Sequence, residues 1–339
     1  MSTRWKSRGN TARAAAVLTA LLGAVAACGT SGASTPVKTA NGVSIVTVAA
    51  NAIAAKSVQL TVPQVAAIRA ELPKSLVAGG KLVIGVGALP AGAPPLDYVG
   101  TDQQTLTGSE PDLGRLVAAV FGLTPDVENA SWQNLFVRLQ SGQFNVGFSN
   151  ITDTELRKQQ GFDFASYRQD NLGFEVKKSS TWNFDGNFEN LAGKTVAVSS
   201  GTNQEKILLQ WQSQLKAQGK TLNVRYFNDN NGTYLALDAG RIDAYFSPNP
   251  GVAYHVAQDA NTPNPTRSAG EYSGAGASLQ GLIAATTKHD DGLVKPLADA
   301  INYLISHGQY ARWLAAYGLR NEALAASQVN PPGLPLDNS

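Results

Sequence analysis

The chain has 339 residues, 43% hydrophobic and 15% charged, with 27 Lys and Arg against 25 Asp and Glu for a formal charge of +2. That length suits about two domains with full hydrophobic cores, and a single cysteine excludes a small disulfide-stapled or zinc-ribbon scaffold. The near-neutral balance also lacks the basic footprint of a nucleic-acid binder, so no nucleic-acid partner is expected.

In chain order, Arg4, Lys6, Arg8 and Arg13 precede an Ala-rich apolar run from Ala14 to Leu22. This is the pattern of a secretory leader, too short to cross a bilayer. The run ends in Val25-Ala26-Ala27-Cys28, which resembles the bacterial lipobox. The resemblance implies a signal peptide over 1–27 and a lipoprotein anchored through an acyl chain on Cys28 to the outer side of the cell membrane. Residues 28–42 are small and polar, the composition of a flexible tether. Residues 43–80 read as an Ala/Val-rich extension in which Pro63 opens a short helix from Gln64 to Glu71.

The body starts at Lys81 with an apolar run, Leu82 to Val86, that reads as a buried strand. Strands and helices then alternate, the rhythm of a parallel sheet covered by helices. Helices are expected over Asp112–Phe121, closed by Gly122, and over Trp132–Gln140, closed by Ser141-Gly142, with a strand at Phe144–Phe148. A second series follows: strand Thr195–Ser199, helix Gln204–Ala217, strand Asn223–Phe227, helix Gly232–Ala239, strand Ala244–Phe246. Ile301–Tyr317 reads as one last amphipathic helix. Two α/β units imply a cleft between them, where such folds bind ligands.

Several stretches carry a family resemblance by their order and spacing. They are Lys81 to Val86, Pro94-Pro95-Leu96, Gly108 with Asp112-Leu113, Ser141-Gly142, Ser149 to Arg157, Gly193 to Val198, Gly201-Thr202, Gly240 to Ala244 and His307 to Tyr310. From about Leu72 to Pro331 the chain resembles the extracytoplasmic solute-binding proteins for polar amino acids that serve ABC importers. The resemblance implies a periplasmic-binding-protein-like α/β fold of two lobes, each with a mainly parallel sheet flanked by helices, hinged around a central cleft. Lobe one is expected over 81–171 and 279–330, lobe two over 172–278, and a C-terminal tail over 331–339. It also implies a monomer that needs no cofactor or metal, with a small carboxylate-bearing solute, a permease and an ATPase as partners.

Ser149 to Arg157 follows a strand and opens a helix, gathering N–H groups, hydroxyls and a guanidinium suited to a carboxylate. In similar proteins the residue at Arg157 grips the ligand carboxylate with help from positions matching Ser149, Asn150 and Thr152. Trp132 is expected to wall the ligand, and Thr202 and Asn203 to meet the same carboxylate from lobe two. Glu155 and Lys158 read as a solvated face. Two positions depart from the family pattern: Pro248 stands where similar proteins place an Asp for the ligand ammonium, and Ala93 where an aromatic clamp is common. A buried ammonium needs an acid, so Asp97 or Glu110 is expected to substitute, and an ammonium held by a neutral acceptor such as Asn249 would overturn that expectation. Failing that, the solute is a carboxylate whose amine is missing or displaced.

Catalytic signals are thin. His255, His289 and His307 have no ligand spacing and read as surface residues, and no G-x-S-x-G elbow or H-E-x-x-H helix is present. Two rival readings share the fold: a dehydratase acting on a prephenate-like acid with Glu110 or Asp97 as general acid, and a lipoprotein that presents its ligand to a sensor.

Overall fold

A computed structural model describes residues 36–53, 55–227 and 229–337, so Cys28 and its leader lie outside the described part. The first described elements form an antiparallel sheet: β1 (Val37–Ala40), β2 (Val43–Val48) and β3 (Val58–Pro63). Asn41-Gly42 makes the β1–β2 turn with φ of +51° and +73°, the left-handed pair that matches a two-residue hairpin to the twist of its strands. Alternation points Val46, Val48, Leu60 and Val62 fully inward. The segment expected to be tether therefore ends in a strand, and Pro63 is the last residue of β3, with the helix expected over Gln64–Glu71 found within those bounds. Two short helices follow, α1 (Ala66–Ala70) and α2 (Lys74–Gly79).

The body continues through β4 (Lys81–Leu89), β5 (Tyr98–Val99), β6 (Leu106–Thr107), α3 (Ser109–Phe121), β7 (Thr124–Ser131), α4 (Trp132–Ser141), β8 (Val146–Gly147), α5 (Glu155–Gln159) and the 16-residue β9 (Phe162–Lys177). Then come β10 (Thr195–Ala197), α6 (Asn203–Ala217), β11 (Asn223–Arg225), α7 (Asn230–Asp238), β12 (Ala244–Pro248), α8 (Asn249–Asp259), β13 (Thr266–Ser273), β14 (Gly281–Lys288), α9 (Val294–Ser306) and α10 (Gln309–Ala316). The single helix expected over Ile301–Tyr317 is two, because Gly308 takes φ of +80° and breaks the run at His307.

One sheet of nine strands runs in the order β7-β4-β8-β14-β9-β12-β10-β11, with β13 also on β9. β4 lies parallel to β7 and β8, and β10 lies parallel to β11 and β12. β9 is shared: its residues up to Asp170 pair antiparallel with β14, and those from Asn171 onward pair with β13 and β12. The chain thus passes between two lobes within one strand, and Asp170 stands at the crossing. Each lobe has its own core. In the first, Leu116, Phe121, Ile301 and Trp313 are buried together, and in the second Phe174 stacks on Phe246 at 4.3 Å beside Trp211.

The C-terminal segment is part of the body. Leu334 is fully buried in the core of the second lobe, while its backbone pairs with Asp153 and Glu155 of the first at 3.1 and 3.0 Å. Burying such a leucine contributes about 2 kcal/mol.

Candidate functional site

A cavity of about 450 Å³ lies between the lobes. Its first wall is the 87–97 segment that leaves β4, the start of α4 and the Ser149-Asn150 turn after β8; its second is 199–204 after β10, then Tyr226, Phe227, Asp229 and Asn230 after β11, and the end of β12. These are carboxyl ends of strands, where an open α/β sheet leaves backbone free to line a crevice.

Asp97 is the most constrained acid of that lining. It is 4% exposed, and its Oδ2 accepts the Ser149 hydroxyl, which in turn accepts the Gly87 N–H at 2.8 Å. Burial pushes the Asp97 carboxyl up to about 7, with the Ser149 bond opposing and the charge of Glu110 adding to the rise. Asp229 also lines the cavity while capping α7, its Oδ1 accepting the Gly232 N–H at 2.8 Å. Four rings complete the walls: Trp132, Tyr226, Phe227 and Tyr245, the last fixed by a 2.9 Å bond to Asn230. Among the described residues no Lys, Arg or His lines this cavity. Acids and ring faces with no competing base form a site for a cation.

Of the residues expected at the site, Asp97, Trp132, Ser149, Asn150, Thr202 and Asn203 line the cavity. Trp132 reaches across the cleft, its Nε1 donating to the Gly201 carbonyl at 3.1 Å. Thr202 is the N-cap of α6, accepting from Glu205 N–H at 3.2 Å and donating to the Ser199 carbonyl at 2.7 Å.

The other expected site residues, Arg157, Thr152, Glu110 and Asn249, sit off this lining. Arg157 is buried and does not line the cavity; its guanidinium donates to the Thr152 carbonyl at 2.7 Å and the Gly201 carbonyl at 3.4 Å, over the rings of Trp132 and Phe136. Burial lowers the Arg157 guanidinium to about 10, against the charges of Asp170 and Asp153. Thr152 does not line the cavity either, because its hydroxyl turns to Asp170 Oδ2 at 2.7 Å. Asn203 gives its amide to the same oxygen at 3.0 Å. Glu110 is fully buried inside lobe one, held by the Tyr167 hydroxyl, by Arg168 at 3.1 Å and by the Asn150 N–H at 2.8 Å. Asn249 turns away to Glu271 at 2.9 Å, which leaves only Ser247 and Pro248 from that corner on the cavity. Nor is Lys158 solvated: it pairs with Asp153 at 3.2 Å and Glu155 at 2.9 Å, and donates to the Pro331 carbonyl. Among the histidines, His255 is partly buried and bonded through Nδ1 to Glu175.

Asp170, Asp229, Tyr226, Phe227 and Tyr245 were absent from the expected site. Tyr226 and Phe227 were legible as the residues that leave a strand of the second unit. Asp170 had no local signal, since an acid within a strand reads as an interruption of it. Its seat is shaped by glycine: a Cβ on residue 274 would fall 1.8 Å from Asp170 Oδ2.

Two lobes, a strand shared between them and a polar cleft lined from both sides define a hinged solute-binding protein. The chain belongs to the bacterial extracellular solute-binding proteins, family 3, whose pattern it matches over residues 84–320. It is 27% identical over 275 residues to the arginine-binding protein ArgT of Corynebacterium glutamicum, spanning 80% of this chain and 85% of that one. An ancestral arginine-binding protein bound to arginine superposes with a TM-score of 0.59 at 24% identity, covering 70% of this chain and 98% of that one. The ancestral amino acid-binding protein AncCDT-1, a precursor of cyclohexadienyl dehydratase, also gives 0.59, at 21% identity over 72% and 97% of the two chains. At these identities the two structures show the shared fold. No helix among the described residues is long and apolar enough to cross a membrane.

Proposed function

We propose that this protein captures a small solute by a cationic end, an amine or guanidinium, and hands it to an ABC permease. It does so outside the cytoplasm, as a monomer held to the membrane by a lipid on Cys28, and it performs no chemistry. The observation that carries this reading is the cavity whose charged lining among the described residues is Asp97 and Asp229, set among Trp132, Tyr226, Phe227 and Tyr245. A carboxylate and ring faces in a desolvated cleft attract a cation through charge and the ring quadrupole. The arginine-binding relative ArgT supports the same polarity. This reading rests on the acids of the cavity wall and not on Arg157, which in this structure donates to the Thr152 and Gly201 carbonyls and keeps further N–H groups.

A thermal-shift screen tests it. At 100 times its dissociation constant a ligand adds about 2.7 kcal/mol, a rise of about 4 °C for a chain of this size. Cationic amino acids, guanidines and amines should give that shift, and acidic amino acids none; the reverse ranking would end the proposal. One second reading has an observation behind it: a cleft carboxyl near 7 suits a general acid. Turnover of prephenate or arogenate by the purified protein would favour that dehydratase role.

A further inference from the structure

Lobe two gathers a second set of ionisable side chains away from the solute cavity. Glu175 comes from β9, while His255 and Asp259 stand four residues apart on α8 and so share one face of that helix. One ring nitrogen or carboxylate oxygen from each lies within 4.8 Å of the other two. Glu175 is fully buried, Asp259 is 8% exposed and His255 is partly buried. None of the three lines the solute cavity. Thr266 of β13 holds both carboxylates, its hydroxyl donating to Glu175 Oε1 at 2.6 Å and its N–H to Asp259 Oδ2 at 2.9 Å. His255 Nδ1 sits against Glu175 Oε1 and 3.8 Å from Asp259 Oδ2, with its ring stacked on Tyr234. His255 also borders a cavity of about 480 Å³ walled by Tyr234 and Tyr254, so the cluster is reachable from outside.

Charge and hydrogen bonding are both incomplete in this cluster. Each carboxylate keeps one buried oxygen with no hydrogen-bond partner, Oε2 of Glu175 and Oδ1 of Asp259. Among the described residues neither pairs with a Lys or Arg, and the basic group that meets them is His255. Even a protonated imidazole leaves one of the two buried carboxylate charges uncompensated, and it reaches neither orphaned oxygen. A divalent cation answers both deficits, since two carboxylates cancel its charge and their spare oxygens become ligands. We propose that Glu175, His255 and Asp259 form a binding site for a divalent transition-metal ion of the zinc class. An imidazole beside two carboxylates suits such an ion, whereas calcium and magnesium take oxygen ligands. Three protein ligands leave a fourth position for water, and Thr266 supplies the outer hydrogen bonds that orient the carboxylates. The ion ties β9, α8 and the start of β13 together and so braces lobe two, independently of what the solute cavity holds.

Zinc ions added to the untagged full chain after treatment with a chelator make the test. Calorimetry should show one zinc bound per chain, with calcium and magnesium bound far more weakly. His255→Gln and Asp259→Asn should each weaken zinc about tenfold or more. Two controls should leave zinc binding as it is: His289→Gln, in the more exposed group of Asp163, His289 and Asp290, and Asp97→Asn, in the solute cavity. Hydrogen exchange of the wild type should slow on adding zinc in α8 and at the start of β13, a readout that needs no variant to fold. No zinc binding by the wild type would overturn the proposal, as would calcium bound as tightly as zinc. Affinity unchanged in a folded His255→Gln protein, or lost in His289→Gln or Asp97→Asn, would place the ion elsewhere and overturn it too.

Discussion

A cation held by Asp97 must bind more tightly as pH rises, because only the ionised carboxylate attracts it. Burial holds this carboxyl near 7 in the empty protein. Its ionised fraction is then about 9% at pH 6 and about 91% at pH 8, so the apparent dissociation constant should fall about tenfold across that range, or about 1.4 kcal/mol. Below pH 7 each binding event should also release close to one proton, readable by calorimetry in two buffers of different ionisation enthalpy. Asp97→Asn separates this from any other titration, since it should bind the cation weakly and with a flat pH profile. The same substitution bears on stability with a definite sign. A carboxyl raised in the folded state above its ordinary value of 3.8 costs nothing while protonated in both states, and stability is lost as pH climbs through the folded value. The amide variant should therefore melt higher than wild type at pH 8 and equally at pH 3.5. A dissociation constant that changes less than about twofold between pH 6 and 8, or a proton release that survives in Asp97→Asn, would refute the assignment of Asp97 to the ligand.

Lys158→Ala should cost about 1–3 kcal/mol in urea unfolding, because it strips the partner from Asp153, whose side chain is fully buried; solute affinity should hold, and an unchanged urea midpoint would return Lys158 to the solvent. Leu334→Ala should cost about 2–5 kcal/mol, a loss that a trailing tail would not show in the same assay. Cys28→Ser should leave the membrane fraction for the soluble one or retain its leader, and unaltered partitioning into detergent would contradict a lipid on Cys28.

Helices and strands of regular period were legible where local chemistry agreed with packing. β4 is a plain apolar run, and α3 and α4 carry apolar residues at helical spacing that end in Gly122 and Gly142, both left-handed at φ of +65° and +74°. β9 was not legible, since Asp163, Ser166, Arg168 and Asp170 are buried along it and are satisfied only by distant partners. Arg168, for example, pairs with Glu322, 154 positions away. The β1–β2 hairpin did have its signal in Asn41-Gly42 followed by the β-branched alternation of Val43 to Val48, and only the four residues of β1 are too short and mixed to read as a strand. At the site, the turn that presents Asp97 and the helix start that presents Trp132 could be placed from strand ends alone. The direction of the Arg157 side chain could not, because Gly201, the carbonyl that helps hold it, arrives from the other lobe.

A crystal structure with the tightest-binding cation from the thermal screen tests the central claim most directly. The account predicts the amine or guanidinium nitrogen at hydrogen-bond distance from Asp97, among Trp132, Tyr226 and Phe227, with Asp170 still bonded to Thr152 and Asn203. A bound solute whose cationic nitrogen lies away from Asp97, or that presents no cationic nitrogen to the cleft, would contradict it.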